Sequence, residues 1–339
     1  NPTNNKNMIN ANDGGANISY NGGKSWSTQK NQPTSQFYRV ITDNRFPYYV
    51  YGGQQDNSSV AIPSRTSGRG IDWSDWYRAA GCESAYLAFD PDNPIDIYGG
   101  CYQGLIEKLN ILTQKSRSIM AYEYLGLGSV PSDQKFRFNW NAPIATSSNK
   151  HDRLYVGSQY LHKSEDMGDG WEIISPDLTT NDPKKQNQED SGGLSMDNSG
   201  AENHTTIFTI AESSLDENII WVGTDDGNIQ VTTDGGKTWE NTISNVQGVP
   251  KNTWVYHIEP SVHDVEAAYV VFDGHTTGDM KPYAYKTENF GVSWENIIPN
   301  NDVYGFTRSI QEDYENPELL FLGTEFGLYV SINGGNKWN

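Results

Sequence analysis

Six positions in this chain, Asp43, Asp90, Ser147, Ser213, Ser261 and Asp313, are each followed eight residues later by an aromatic: Tyr51, Tyr98, Tyr155, Trp221, Tyr269 and Phe321. Three residues before each stands an aliphatic: Val40, Leu87, Ile144, Ile210, Ile258 and Ile310. In five of the six cases a Gly follows two after the aromatic. Two fixed offsets kept at a period of roughly 45–65 residues leave few architectures open. A repeat of that length signals a propeller or a solenoid.

A shorter phrase, Ser/Thr-x-Asp/Asn-x-Gly-x-x-Trp, occurs five times: SYNGGKSW (19–26), SEDMGDGW (164–171), TTDGGKTW (232–239), TENFGVSW (287–294) and SINGGNKW (331–338). It reads as a hairpin turn. The Asp or Asn side chain bonds backbone amides of its own turn, and the Gly takes the positive-φ position. The Trp then folds back between neighbouring sheets.

Each unit reads as four short strands, in the last unit FTRSI, LLFLG, GLYVS and one beginning near Trp338. The fold expected is therefore all-β: a seven-bladed β-propeller of four-stranded antiparallel blades. The blades fall at roughly 1–36, 37–83, 84–140, 141–178, 205–250, 251–303 and 304–339, with an insertion at 179–204. The first unit lacks its first strand and the last stops as its fourth begins, so the end blades are expected to be incomplete. Units two and three lack the phrase and carry long insertions, 62–86 and 114–143, rich enough in Trp, Tyr and Phe to pack. Loops of that length are functional or disordered, and 179–204 is the most polar.

Gly (33), Tyr (20) and Trp (10) are plentiful, which favours strands and turns. The net charge of −19 argues against nucleic acid, whose phosphates need clustered Lys and Arg. It suits solubility in an extracellular or salty setting. No run of eighteen apolar residues is present to span a membrane. The chain starts at Asn1 without an initiator Met, as expected of a mature or trimmed piece of a longer protein. The two cysteines, Cys82 and Cys101, are too few for a metal framework.

The five phrases resemble the Asp-box, or bacterial neuraminidase repeat. NDGGANISYNGGKSWSTQKNQPTSQFYRV, YGGQQDNSSVAIPSRT, RFNWNAPI, WEIISPDLTTNDP and GTEFGLYVSINGG are similar to segments of large bacterial proteins described as sortilin-like or glycosyl-hydrolase-like repeat proteins. The resemblance covers essentially the whole chain and implies a fold far better than a function. Sialidases with this repeat use an arginine cluster and a Tyr–Glu pair. Among nine arginines here Arg39 and Arg308 are the first-strand candidates, without a third partner in the same frame. Sortilin-type propellers bind peptides and carry a cysteine-rich module that this chain lacks. Xyloglucan-cleaving enzymes place two propellers face to face, with acidic catalytic residues in hairpins like NANDGG and GTDDG. A second propeller in the full-length chain is the matching expectation.

The phrase closes strands three and four, so a ligand is expected at the other end, where strands two and three join and blades connect. Four residues after each aromatic, that turn carries Asp13, Gln55, Tyr102, Gln159, Asp225 (or its neighbour Asp226), Asp273 and Glu325. An acidic arc thus faces an amide-and-aromatic arc. Asp13, Asp225 and Glu325 are the catalytic candidates, for glycosidases pair carboxylates at roughly 5 Å or 6.5–9.5 Å. The acids also suit a basic peptide or a cation such as Ca²⁺, or are what tight turns prefer. No other cofactor is expected, and the histidines show no metal spacing. Gln55, Asp56, Tyr102, Gln159 and Asp273, with Arg39 and His257 on the innermost strands, are the ligand-binding candidates. Trp73 and Trp76 flank them. Amides and flat aromatics suit sugars and equally suit a packed loop. Cys82 and Cys101 fall at one end of a blade, as a disulfide or as two thiols. The reading is a secreted or surface propeller binding glycan or protein, with a polysaccharide hydrolase as alternative.

Overall fold

The computed structural model describes residues 1–12, 14–29, 35–91, 93–188, 198–300 and 302–339. Two compact units divide the chain, Asn1–Gln36 and Phe37–Asn339. The first is one antiparallel hairpin, β1 (Met8–Asn12) and β2 (Gly15–Ser19), closed by the first copy of the phrase.

Phe37–Asn339 is a β-propeller whose blades keep the numbers of their repeat units. Blade two is β3 (Phe37–Thr42), β4 (Tyr49–Gln54), β5 (Ser59–Pro63) and β6 (Tyr77–Arg78). Blade three is β7 (Leu87–Phe89), β8 (Asp96–Gly100), β9 (Ile106–Asn110) and β10 (Lys115–Ser118). Blade four follows with β11 (Ile144–Thr146), β12 (Leu154–Gly157), β13 (Leu161–Ser164) and β14 (Glu172–Ile173). Blade five has β15 (Ile207–Glu212), β16 (Ile220–Thr224), β17 (Ile229–Thr232) and β18 (Glu240–Asn241). Blade six has β19 (Trp254–Pro260), β20 (Ala268–Gly274), β21 (Asp279–Thr287) and β22 (Glu295–Asn296). Blade seven is three-stranded, β23 (Thr307–Glu312), β24 (Leu320–Thr324) and β25 (Gly327–Ser331), and Asn339 exchanges both backbone bonds with Val330 as a fourth strand would.

The seven blades expected are therefore six. The first unit has neither an anchor with its aromatic nor any described strand after β2, and a two-stranded hairpin is not a blade.

The core lies between sheets. Five buried clusters each draw on two consecutive blades, such as Trp221 and Val231 with Val270 and Phe272. The repeated aromatics Tyr51, Tyr98, Tyr155, Trp221 and Tyr269 are fully buried there. Five of the six repeated aliphatics are buried too; Val40, on blade two, is 61% exposed.

Each buried tyrosine brings a hydroxyl that must be satisfied. Where the anchor is Asp43, the same blade supplies the acceptor, and Tyr51 donates to it at 2.7 Å. Where the anchor is a serine, the next blade supplies it. Ser147 and Tyr155 both donate to Glu212, at 2.5 and 2.6 Å. Ser261 and Tyr269 both donate to Glu312, at 2.7 and 2.9 Å. Trp221 has no hydroxyl, and the equivalent residue of the next blade is Pro260. Tyr98 departs from the scheme: among the described residues its hydroxyl has no hydrogen-bond partner.

The phrase forms the expected turn. In blade five Thr232 Oγ1 donates to Asp234 Oδ1 at 2.8 Å and accepts from Gly236 N at 3.0 Å, while Asp234 accepts from Thr238 N at 2.9 Å. Its tryptophan then reaches the preceding blade. Trp171, Trp239 and Trp338 donate their indole N–H to the carbonyls of Ile119, Ile174 and Ile297 at 3.0, 3.0 and 2.6 Å, and Trp294 to Thr242 Oγ1 at 3.3 Å. Each acceptor directly follows its blade's fourth strand. Gly236 sits at φ +95, and a Cβ there would lie 2.6 Å from the Ile174 carbonyl oxygen. Backbone conformation and close approach both exclude a side chain at this point.

Trp239→Phe keeps the ring and removes the N–H. It is expected to cost about 1–3 kcal/mol, read as a lower urea midpoint. Gly236→Ala adds left-handed strain to overlap and is expected to cost more, about 2–4 kcal/mol. A Trp239→Phe midpoint equal to that of the wild type would show that the indole bond does not hold the blades.

Candidate functional site

The turns between second and third strands gather with the chain entering each first strand. Asp225 N donates to Thr206 O, and Glu325 N to Phe306 O, both at 3.1 Å. This face carries the sequence candidates, in three different environments.

The amide-and-aromatic arc is assembled around Tyr38 and Trp140. Gln55, in the turn after β4, accepts a short hydrogen bond from the Tyr38 hydroxyl on β3. Its Nε2 donates to Asp56 Oδ1 at 2.9 Å and to Glu83 Oε2 at 3.0 Å, and Glu83 also accepts from Asp56 N at 2.8 Å. Burial raises the Tyr38 pKa, partly opposed by the Trp140 hydrogen bond and reinforced by Glu83 and Asp56, so Tyr38 remains a donor. Trp140 Nε1 donates to that hydroxyl at 3.1 Å. Tyr102 lies against Trp140 with ring centroids 5.2 Å apart and planes inclined by 19°. Both rings are half-buried.

Cys82 and Cys101 form a disulfide with Cα atoms 5.1 Å apart. Each is followed directly by a residue of this arc, Glu83 and Tyr102, so one covalent bond ties the rim acid to the stacking ring. Trp73 and Trp76 are exposed.

Trp140 is placed by the second insertion, which crosses the face as a pinned segment. Arg137 N donates to Gln159 Oε1 at 2.8 Å, and Gln159 Nε2 to Lys135 O at 3.0 Å, so Gln159 spends both ends of its amide on the insertion. Asn139 Nδ2 reaches Asp225 Oδ2 at 3.0 Å, and Asn141 Nδ2 reaches Ser84 O at 2.6 Å. Tyr38, Trp140, Asn139 and Asn141 were not among the expected site residues. Their signal was Tyr38 beside Arg39, and the Trp between two asparagines in RFNWNAPI.

The acidic arc is divided. Asp225 is fully buried and accepts from Thr206 N at 2.8 Å, Thr206 Oγ1 at 2.5 Å and Asn139. Burial pushes its pKa up to about 6, with His204, 4.0 Å away, opposing and Asp226 reinforcing. Asp226 accepts from Thr180 N and Oγ1 at 2.7 and 2.6 Å. Asp273 accepts from His275 N and lies 2.8 Å from its ring Nδ1, and it pairs with Arg308 at 3.2 Å. Glu325 is exposed. Asp13 lies outside the described residues, as do 189–197 of the polar insertion.

Arg39 and His257 lie on the first strands β3 and β19. The Arg39 guanidinium donates from Nη2 to Tyr256 O at 3.1 Å and lies 4.1 Å from that ring's centroid. His257 Nδ1 accepts from Ile310 N at 3.3 Å. Burial, aided by the Arg39 charge, pushes His257 down to about 4. Glu259, 3.9 Å from His257 Nε2, is pushed up to about 8, chiefly by burial. Among the described residues no group of three or more His, Cys, Asp or Glu is placed to hold a metal ion. Nor is any helix of the described residues long and apolar enough to cross a membrane.

No protein-family model matches the sequence, and no curated protein matches it. Solved structures do match. A GH74 xyloglucanase from Xanthomonas campestris superposes with a TM-score of 0.54 over 90% of this chain at 15% identity. An ancestral GH74 enzyme superposes with a TM-score of 0.57 over 88% at 13% identity. The chain spans 46% and 37% of those two proteins. The likeness is one of fold: a propeller.

Asp225 gives a pH signature. Its folded pKa, about 6, lies above the ordinary value of 3.8, so the folded state holds the proton more tightly. Its contribution to stability is complete below the ordinary carboxylate range and is lost as pH rises to about 6. Asp225→Asn should remove that component. In urea melts from pH 4 to pH 7, the midpoint of Asp225→Asn minus that of the wild type should rise with pH. A flat difference would mean that Asp225 ionises freely in the fold.

Proposed function

We propose that this chain is a carbohydrate-binding propeller, with its ligand seated on the Tyr102–Trp140 platform. The stacked, half-buried pair carries the proposal. Flat aromatic faces receive the C–H faces of a sugar ring, and fixed polar groups beside them orient its hydroxyls. Here those groups are the Gln55 amide, the Tyr38 hydroxyl and the Glu83 carboxylate, fixed by their mutual bonds. The disulfide, next in sequence to Glu83 and Tyr102, limits what must be ordered on binding.

On the same reading the protein is a secreted or surface Asp-box propeller of a glycosyl-hydrolase-like group. Support comes from the disulfide, since such bonds persist in oxidising compartments, and from the five turns. Hydrolysis through paired carboxylates has less support. A nucleophile or general acid needs oxygen atoms free to meet substrate. The Asp225 oxygens are taken up by Thr206 and Asn139, and Asp273 is bridged by His275 and Arg308.

The test is calorimetric titration of the whole chain with oligosaccharides from neutral β-glucans, xyloglucan included, beside a reducing-sugar assay. Binding without sugar release is expected. Trp140→Ala and Tyr102→Ala should each weaken binding by about tenfold or more, as for other buried aromatic anchors, with unchanged circular dichroism. Binding that survives both substitutions would overturn the platform. Sugar release lost in Asp225→Asn or Glu325→Gln would restore the hydrolase.

A further inference from the structure

The chain has 43 acidic residues against 24 Lys and Arg, yet among the described residues one half-buried arginine on a first strand has no ion-pair partner. Five arginines are not exposed: Arg39, Arg45, Arg137, Arg153 and Arg308. Four of these are paired: Arg45 with Asp43, Arg137 with Asp177, Arg153 with Glu165 and Glu217, and Arg308 with Asp273. Arg39 forms no ion pair with any described carboxylate. Its Nε is buried without a hydrogen-bond partner.

A guanidinium taken out of water is costly unless paired. Part of the cost is offset by three rings from three blades, Tyr256, Phe208 and Tyr86, whose centroids lie 4.1, 4.8 and 5.5 Å from Arg39 Cζ. Rings do not neutralise it, and neither do its neighbours. Neither His257 nor Glu259 forms an ion pair with Arg39, and burial favours the uncharged form of each, lowering the one to about 4 and raising the other to about 8. Arg308, 4.3 Å from the Tyr256 centroid, has its charge spent on Asp273, which His275 also contacts. Among the described residues one positive charge is left without an ion-pair partner in an acidic protein.

We infer that the channel beside Arg39 receives a single carboxylate carried by the sugar ligand, making the preferred glycan a uronic-acid polysaccharide. This rests on the glycan reading above and narrows it. The planar guanidinium matches a carboxylate in shape as well as charge, and a single charge matches a uronate better than a phosphate monoester.

The probes are oligogalacturonate, its neutral methyl ester, and a sulfated neutral oligosaccharide of the same length, titrated into the whole chain at low and moderate salt. The acid should bind about tenfold tighter than the ester, a gap that narrows as salt rises. Arg39→Met should bring the acid/ester ratio to about one, and Arg39→Lys should restore part of it. A wild-type ratio near one, a ratio unmoved in Arg39→Met, or a preference for sulfate would overturn the inference. Neutral oligosaccharides bound without preference for the acid would leave the glycan platform standing and sink this site alone. Failure of acid and ester alike would sink this site, while the β-glucan titration decides the platform. Should Arg39→Met not fold, the wild-type ratio, its salt dependence and the Arg39→Lys ratio decide.

Discussion

The indole N–H of the repeated tryptophan in blades four to seven, bonded into the preceding blade, is the interaction on which the propeller depends. A four-stranded sheet this short has no interior of its own, and every large buried cluster in Phe37–Asn339 lies between two sheets. Blades must therefore meet at a fixed distance and angle. In blades four to seven a glycine three residues before the tryptophan leaves room for the residue that follows the preceding blade's fourth strand, and the indole bond then holds the two blades in place. Nearer the channel the tyrosine hydroxyls add a second fastening, satisfied from the next blade where their own offers only serine.

On this frame the functional face is made unequal by what crosses it. Six equivalent turns start with similar polar residues, but the second insertion lies over part of the ring. It consumes Gln159 and encloses Asp225. The turn at Gln55 is left with a rim of polar groups, and the insertion adds a tryptophan that stacks on Tyr102. An insertion thus decides which turns are structural and which face solvent.

The sequence made the blades and their turns legible because both are local. Tyr155 recurs at a fixed offset from Ser147, and Gly236 from Asp234, within one sheet. Long-range pairings were less visible. That Asn139 seals Asp225 depends on contacts across 86 positions, and no offset within a repeat reports them. Trp140 was hidden for the same reason, since it lies in an insertion and has no counterparts. The blade count fails at the N-terminus, where the phrase follows a two-stranded hairpin and not the incomplete blade expected there. Cys82 and Cys101 could be placed at one end of a blade, but pairing and non-pairing looked alike until the backbone was seen.

The direction of the two fastenings has a consequence for how the ring comes into being. Every tryptophan donor belongs to a later blade and every acceptor to an earlier one. In a chain emerging from the ribosome N-terminus first, each new indole therefore meets a partner that already exists. Tyr155 and Tyr269 face the opposite order, since their carboxylates lie 57 and 43 residues further on. The growing edges of blades four and six thus carry an unmet hydroxyl that only the next blade can bond.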